Sequence, residues 1–192
     1  MSLVPKRRFY NESMHQNMRS IITSVDDANV SLDEMGWEGR RVMGFRLPEW
    51  QRPAVWTQAQ EVKFIRNIYK GVNIGEYMVN ITIDPLYDRI LLDGQQRLRT
   101  LERYVAGDIA VQGEKEHPDD DEPPALTWLE LPDEVRGNFY RMGFSSFVTN
   151  YTDEAVLRAA YDDLNFSGTP HEPEQRAGGG DFDAARPGFQ GF

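Results

Sequence analysis

The sequence contains no cysteine among its 192 residues. Without thiols the chain cannot form disulfides, thiolate metal sites or a cysteine nucleophile. It also lacks any apolar stretch near the ~18 residues that a membrane-spanning helix needs. The charged residues 6–8 are not followed by an apolar run, so no signal peptide is predicted. We therefore expect a cytoplasmic protein with no membrane partner.

Positive charge is scarce as well. Lysine and arginine number 21 against 31 aspartates and glutamates, which gives a formal net charge of -10. Such a chain is a poor generic binder of duplex DNA, because neutralisation of phosphates supplies most non-specific affinity. The charge is nevertheless uneven: acid concentrates in 114–122, and arginines in 40–52 and 97–103. This distribution leaves room for a local anion site.

Hydrophobic periodicity predicts both helices and strands. Helices are predicted over 11–25, 57–70, 95–106, 132–142 and 152–164, and strands over 41–47, 77–83, 89–93 and 144–149. Thr57 and Gln60 have the spacing of a capping box, and the strands 77–83 and 89–93 flank a turn, which is typical of a hairpin. The order of elements indicates an α+β fold with a small mixed sheet flanked by helices.

Composition divides the chain into five predicted segments. These are an N-terminal helical annex (1–39), a core (40–112), an acidic loop (113–125), the C-terminal part of the same domain (126–175) and a flexible tail (176–192). The tail prediction rests on its glycine, aspartate and proline content and its few apolar anchors.

The segment Asp93-Gly94-Gln95-Gln96-Arg97 has the pattern expected of a phosphate site. A buried strand leads through a glycine onto a helix N-terminus, where unpaired N–H groups and the helix dipole favour an anion. Arg97 can give a bidentate fork to a phosphate, and Asp93 can hold a metal ion or orient a water. A purely structural alternative is that Asp93 caps the helix and Arg97 forms a surface ion pair.

A second cluster places Gln51 and Arg52 between two tryptophans, Trp50 and Trp56, and two prolines. Such a stiff loop presents a fork of donors, and an aromatic ring there can stack on a base. On the residues alone, the favoured interpretation is a rigid strand-to-helix connection whose tryptophans belong to the core.

Four segments together resemble a known family: LPEWQRPAVW, IRNIYKGVNIGEY, LLDGQQRLRTL and DLNFSGTPHEPEQ. In order and spacing they are similar to the N-terminal domain of GmrSD-type, modification-dependent restriction endonucleases, a family that resembles the ParB/sulfiredoxin-like fold. The resemblance covers about residues 40–110 well and 150–175 more loosely.

The resemblance implies binding and hydrolysis of a nucleoside triphosphate with a divalent metal, expected to be Mg²⁺. Nine positions match the family's nucleotide-binding residues: Gln51, Arg52, Asp93, Gly94, Gln95, Gln96, Arg97, Asn165 and Gly168. Among them, Asp93 is the implied metal ligand, and the implied catalytic residues are Asp93, Gln95, Gln96 and Arg97.

The sequence departs from the family at several points. Ala54 stands where the family often has tyrosine, and Arg99 stands where threonine is usual. The three histidines, His15, His117 and His171, form no HNH-like cluster. We therefore expect the nuclease half to be absent and the chain to be a stand-alone, phage-encoded module linked to restriction or anti-restriction.

Two alternatives to nucleotide hydrolysis remain open. One is a ParB-like DNA nuclease, which needs a metal-bound water near DNA; direct DNA binding is left undecided. The other is a non-catalytic interaction module. The expected protein partner is a separate nuclease or a host-defence protein, and a phage-encoded chain would act in the host cytoplasm.

Overall fold

The computed structural model describes residues 11–115 and 117–166. The strands are β1 (Glu12–Asn17), β2 (Arg41–Val42), β3 (Phe45–Arg46), β4 (Glu76–Asn80), β5 (Ile90–Asp93), β6 (Ala110–Gln112), β7 (Ala125–Thr127) and β8 (Gly143–Thr149). The helices are α1 (Met18–Thr23), α2 (Val25–Glu34), α3 (Gln58–Tyr69), α4 (Gln95–Ala106), α5 (Asp133–Arg141) and α6 (Glu154–Phe166), with a 3₁₀ turn at Trp128–Glu130. Gly168 and the predicted tail, 176–192, lie outside the described residues.

Six strands form one mixed sheet in the order β1-β8-β4-β5-β3-β2. The β4–β5 and β1–β8 pairs are antiparallel, whereas β4–β8 and β3–β5 are parallel. Strands β6 and β7 form a separate antiparallel pair on either side of the acidic loop. The architecture confirms the expected α+β fold, in which a mixed sheet is flanked by helices.

The two central strands bury both of their faces, because successive side chains of a strand point to opposite sides. Tyr77, Val79 and Leu91 join the large core that includes α3 and α4. On the other face, Ile90 and Leu92 pack with residues of α6 in a second core. The end of β5 is therefore held between two helical layers, and this fixes the position of the residues that follow it.

Several local predictions are confirmed. Helix α3 carries the predicted capping box, in which the hydroxyl of Thr57 accepts the N–H of Gln60 and the Gln60 side chain accepts the N–H of Thr57. Strands β4 and β5 form the predicted antiparallel pair. Helix α4 runs over the predicted residues, 95–106. Each of these elements is specified by signals within about a dozen residues of sequence.

The single helix predicted over 11–25 is wrong. Residues 12–17 form the edge strand β1, which pairs with β8, and the helix begins only at Met18. Asn17 ends the strand and caps the helix, since its Oδ1 accepts the N–H of Ser20 at 2.8 Å. Among the described residues of the predicted annex, the helices therefore begin only beyond this point, and Met14 on β1 is 45% exposed.

The strand predicted over 41–47 is also wrong as a single element. It is a hairpin of two two-residue strands, joined by Met43 and Gly44 with φ of 48° and 76°. Positive φ at both central residues is typical of the tight turn that matches strand twist. A Cβ on Gly44 would lie 2.4 Å from the Cβ of Ala28, so the hairpin also needs glycine there to pack on α2.

Candidate functional site

The junction between β5 and α4 has the predicted strand–glycine–helix geometry. Gly94 adopts φ 95°, a left-handed conformation, and the first helical residue follows directly. A Cβ on Gly94 would lie 2.5 Å from the Cβ and 3.0 Å from the Cα of Tyr77. Within the described chain no side chain caps the helix at Gly94. The N-terminal amides and the positive end of the helix dipole are therefore available to a ligand.

We expect Gly94→Ala to destabilise the domain by about 2–4 kcal/mol, because alanine is strained at this φ and its methyl meets the backbone of Tyr77. Chemical denaturation measures this change. The matched control is Gly71→Ala, also at positive φ (69°) but with open space around its Cβ position; it should lose only about 1 kcal/mol. Equal losses in the two variants would mean that the close approach of β4 is unimportant.

A pocket of about 150 Å³ opens at this junction. It is lined by Gln51, Arg52, Trp56, Asp93, Gly94, Gln95, Gln96, Arg97, Tyr161 and Asn165. Eight of the nine residues that the family resemblance implied are thus brought together from three separate parts of the chain, while Gly168 falls outside the described residues. Arg52 and Arg97 line the same pocket.

Gln96 holds the upstream loop against the helix. Its Oε1 accepts the backbone N–H groups of Val55 and Trp56 at 3.1 and 3.2 Å. Two donors on one oxygen fix the orientation of the amide, because the reverse orientation would bring N–H groups face to face. The oxygen of Gln96 therefore positions the loop. The Nε2 of the same amide has no hydrogen-bond partner in the described part of the chain.

Arg97 and Asp93 form an ion pair in the lining of the pocket. The Nη2 of Arg97 donates to the Oδ2 of Asp93 at 2.6 Å and to the carbonyl oxygen of Glu76 at 2.5 Å. The Arg97 side chain is 23% exposed and that of Asp93 is 39% exposed. The ion pair of the structural alternative therefore exists, but it lies inside the pocket rather than on an open surface.

Three polar atoms in the pocket lining are buried without a hydrogen-bond partner in the described part of the chain: Gln51 Oε1, Gln96 Nε2 and Arg97 Nε. Gln51 as a whole is only 3% exposed. Buried polar groups of folded proteins are almost always paired, and leaving one unpaired costs about 1–3 kcal/mol. Bound water or a polar ligand in the pocket would supply the missing partners.

Helix α6 closes the pocket on the far side. The Tyr161 hydroxyl accepts the backbone N–H of Arg52 at 3.4 Å, and burial raises the pKa of this tyrosine. The charge of Arg52 lowers that pKa and the charge of Asp93 raises it, which places both groups near the hydroxyl. Asn165 lines the pocket one turn later and donates to the Tyr161 carbonyl at 2.8 Å.

Sequence reasoning missed Tyr161 and Trp56 as pocket residues. The periodicity of 152–164 predicts Tyr161 on the inward face of its helix, and Trp56 belongs to the predicted core connection; both do pack against other aromatic rings. The spacing of Tyr161 four residues before Asn165 put the two on one helix face, and this was the available signal. For Trp56, its position directly after the loop that carries Arg52 was the corresponding signal.

A metal ion would find one carboxylate in this pocket, that of Asp93. Within residues 11–115 and 117–166, no group of three or more acidic or histidine side chains is arranged to hold a metal. Mg²⁺ commonly keeps several waters and binds through one or two carboxylates together with substrate phosphates. The pocket therefore fits an ion that is shared with a phosphorylated ligand rather than a closed protein cage.

The mixed sheet, its helical layers and the polar pocket after β5 define an α+β domain of the ParB-like class. A family model, the GmrSD restriction endonuclease N-terminal domain, matches residues 35–175. The chain belongs to this family of restriction-system proteins. The search of curated proteins and the search of solved structures found no match to this chain. No helix among the described residues has the length and apolarity required to cross a membrane.

Proposed function

We propose that the pocket binds the phosphates of a nucleoside triphosphate and hydrolyses it with Mg²⁺, as part of a restriction system. The observation that carries this proposal is the cluster of unpaired polar atoms on Gln51, Gln96 and Arg97 beside an uncapped helix N-terminus. Helix N-termini are suited to phosphate because their amides and dipole favour negative charge. Family membership supports the same conclusion.

The size of the pocket favours the phosphates over the whole nucleotide. Complete small-molecule sites usually measure about 300–1,000 Å³, whereas this pocket is about 150 Å³. Its lining is mostly polar and includes two arginines, Arg52 and Arg97. The polyphosphate would therefore occupy the pocket, and the sugar and base would extend beyond it.

The residues divide into distinct roles. Arg52, Arg97 and the first amides of α4 would hold the phosphate oxygens, because phosphoryl transfer depends mainly on positioning and charge neutralisation. Mg²⁺, when bound, would neutralise phosphate charge that otherwise faces the Asp93 carboxylate. The Oε1 of Gln96 already accepts two backbone N–H groups of the loop. We therefore assign the orientation of the attacking water to Gln95.

The first test uses Mg²⁺ and Asp93→Asn. A nucleoside triphosphate at 100 times its Kd should stabilise the wild type by roughly 2.7 kcal/mol, or about 5–10 °C in Tm. With EDTA the shift should disappear, because the carboxylate repels the phosphates. Asp93→Asn should retain a shift in EDTA and lose hydrolysis. Thermal melting with ATP, GTP, CTP and UTP, together with phosphate release, measures both effects.

The matched control is Asp108→Asn, since Asp108 lies just beyond the other end of α4 and outside the pocket. This variant should keep the Mg²⁺ requirement of the wild type. A wild type that none of the four nucleotides stabilises, with or without Mg²⁺, would rule out the proposal. Equal shifts with Mg²⁺ and with EDTA in the wild type would remove the metal role of Asp93.

Within restriction, we propose that the hydrolysis controls a partner nuclease or a host-defence protein. The DNA-nuclease alternative has less support, because Asp93 is the one acidic side chain among the described residues that line the pocket. The net charge of -10 also disfavours duplex DNA as a direct ligand.

A further inference from the structure

A second, larger pocket lies on the other side of the loop that carries Gln51. We name it the tryptophan cleft, and its volume is about 300 Å³. It is lined by Trp37, Arg46, Pro48, Glu49, Trp50, Leu86, Tyr87, Ile90, Glu154, Leu157 and Arg158. The neighbouring residues Trp50 and Gln51 therefore line two different pockets. The first turns of α6 line the cleft, and its later turns line the pocket that follows β5, which we name the phosphate pocket.

One wall of the cleft is built around a buried arginine. Arg46 is 9% exposed, and its Nη1 donates to the carbonyl oxygens of Pro85, Leu86 and Asp88 at 2.8, 3.0 and 3.3 Å. Its guanidinium lies 4.2 Å from the ring centre of Trp37. The Nε of Arg46 is buried and has no partner in the described part of the chain. The wall is thus pre-formed and retains an unused donor.

The opposite wall is Trp50. Its ring meets that of Tyr161 edge-on at 5.1 Å, and the guanidinium of Arg158 lies 5.9 Å from its ring centre. Arg158 is held in turn by Glu154 at 2.7 Å. Leu157, which is fully buried, forms an apolar floor. Rigid aromatic surface, an apolar floor and both signs of charge at the rim are therefore present together.

These features select the chemistry of the ligand. Trp37, Trp50 and Tyr87 are half-buried, so their rings are partly accessible. The two arginines and two glutamates of the lining cancel in charge, which favours a neutral ligand. A flat heterocycle with edge donors and acceptors stacks on such rings and bonds to such rims. We propose that the tryptophan cleft binds a nucleobase.

The volume of about 300 Å³ suits a base together with its ribose. Such a base can belong to a free nucleoside or nucleotide, or to a single strand of nucleic acid. Stacking and edge hydrogen bonds recognise the base in the same way in both cases. The inference does not depend on the phosphate pocket, because a nucleoside carries no phosphate.

The test uses the four tryptophans of the chain. In ¹⁵N-labelled protein each indole N–H gives its own NMR signal, and Trp→Phe variants assign them. Titration with adenosine, guanosine, cytidine and uridine should move the signals of Trp37 and Trp50. Trp56, in the phosphate pocket, and Trp128, in the core, should not respond. No movement with any nucleoside, or movement of Trp56 alone, would overturn the inference.

Variants separate the cleft from its neighbour. Trp50→Leu should weaken nucleoside binding at least fivefold, the low end of what one stacked base contributes. Val30→Ala, at an exposed apolar residue that lines neither pocket, should leave it unchanged. If Trp50→Leu does not fold, the response of the Trp37 and Trp50 signals in the wild type still shows whether the cleft binds nucleosides. An absence of triphosphate hydrolysis in the wild type would refute the proposed function. Nucleoside binding that persists in Arg97→Ala would still support the cleft as a separate site.

A final arm identifies the source of the base. A single-stranded pentanucleotide that binds at least tenfold more tightly than its nucleosides, through the same two tryptophan signals, identifies a nucleic-acid strand. Equal affinity identifies a free nucleoside or nucleotide. Both outcomes support the cleft as a nucleobase site, whereas pentanucleotide binding without a response from Trp37 or Trp50 contradicts it.

Discussion

Replacing Arg97 by alanine should reduce nucleoside-triphosphate hydrolysis by roughly 10²–10³-fold, the effect expected when a pre-organised donor to developing charge is removed. The side chain is fixed by Asp93 and by the carbonyl oxygen of Glu76, so little ordering would be needed when a phosphate arrives. Release of inorganic phosphate at saturating nucleotide and Mg²⁺ measures the loss. Thermal melting of the nucleotide-free variant checks that the fold survives.

Arg99→Ala is the matched control for this prediction. Arg99 is an exposed arginine on the same helix, and two residues of separation turn it by about 200° away from Arg97. Its loss should change hydrolysis by less than about threefold, since an exposed charge is screened by solvent and salt. Similar losses in the two variants would point to a general effect of net charge rather than to the guanidinium in the pocket.

Arg97→Lys distinguishes geometry from charge. Lysine keeps the positive charge but cannot offer a phosphate the planar, two-nitrogen fork of a guanidinium, whose Nη2 here contacts both the Asp93 carboxylate and the Glu76 carbonyl. We expect an intermediate activity, closer to Arg97→Ala than to the wild type. Full activity in Arg97→Ala would leave the ion pair with Asp93 as a purely structural feature, which is the alternative that the sequence left open.

The elements that could be predicted from the sequence are those whose signals are local. Helix α4 has an apolar stripe, begins after Gly94 and ends at Gly107, which takes the left-handed conformation that helix C-termini favour. Strand β1 is different, because His15 pairs with Ser145, 130 residues away. An apolar spacing that fits a helix became a strand through a partner that local sequence does not reveal.

The candidate site divides in the same way. The run from Asp93 to Arg97 is continuous, so its placement at the start of α4 followed from the glycine and the buried strand before it. Tyr161 enters the pocket only because α6 packs across the end of β5. The role of Gln96 as a clamp depends on the path of the loop at Val55. These features arise from tertiary packing, and a single sequence carries no direct signal for them.

Asn80 shows how large the unpredicted part can be. Residues 77–83 alternate between mostly apolar and polar side chains, a pattern that predicts Asn80 on the polar side of a half-buried strand, yet Asn80 is completely buried. Its Nδ2 donates to the carbonyl oxygens of Tyr87 and Tyr151, each at 2.8 Å. Its Oδ1 accepts the hydroxyl of Thr149 and the N–H of Tyr151, again at 2.8 Å. One amide thus joins the ends of β4 and β8 to the loop before β5.

Asn80→Ala should therefore be strongly destabilising, at about 3–4 kcal/mol, because it leaves several buried groups unpaired at once. For a chain of this length the Tm should fall by roughly 6–15 °C. Asn80→Asp should be at least as harmful at neutral pH, since a carboxylate would face two carbonyl oxygens. Thermal and urea denaturation measure both variants.

The control is Asn138→Ala, at an exposed residue whose amide oxygen accepts the Nη2 of Arg141. That change should lie within about 0.5 kcal/mol of the wild type. If Asn80→Ala were equally mild, the hydrogen bonds of this amide would not be holding the ends of β4 and β8 in place. Because Tyr87 lines the tryptophan cleft, the same variant should also loosen nucleoside binding there, while the phosphate pocket, which Asn80 does not line, keeps its response to triphosphate in the fraction that remains folded.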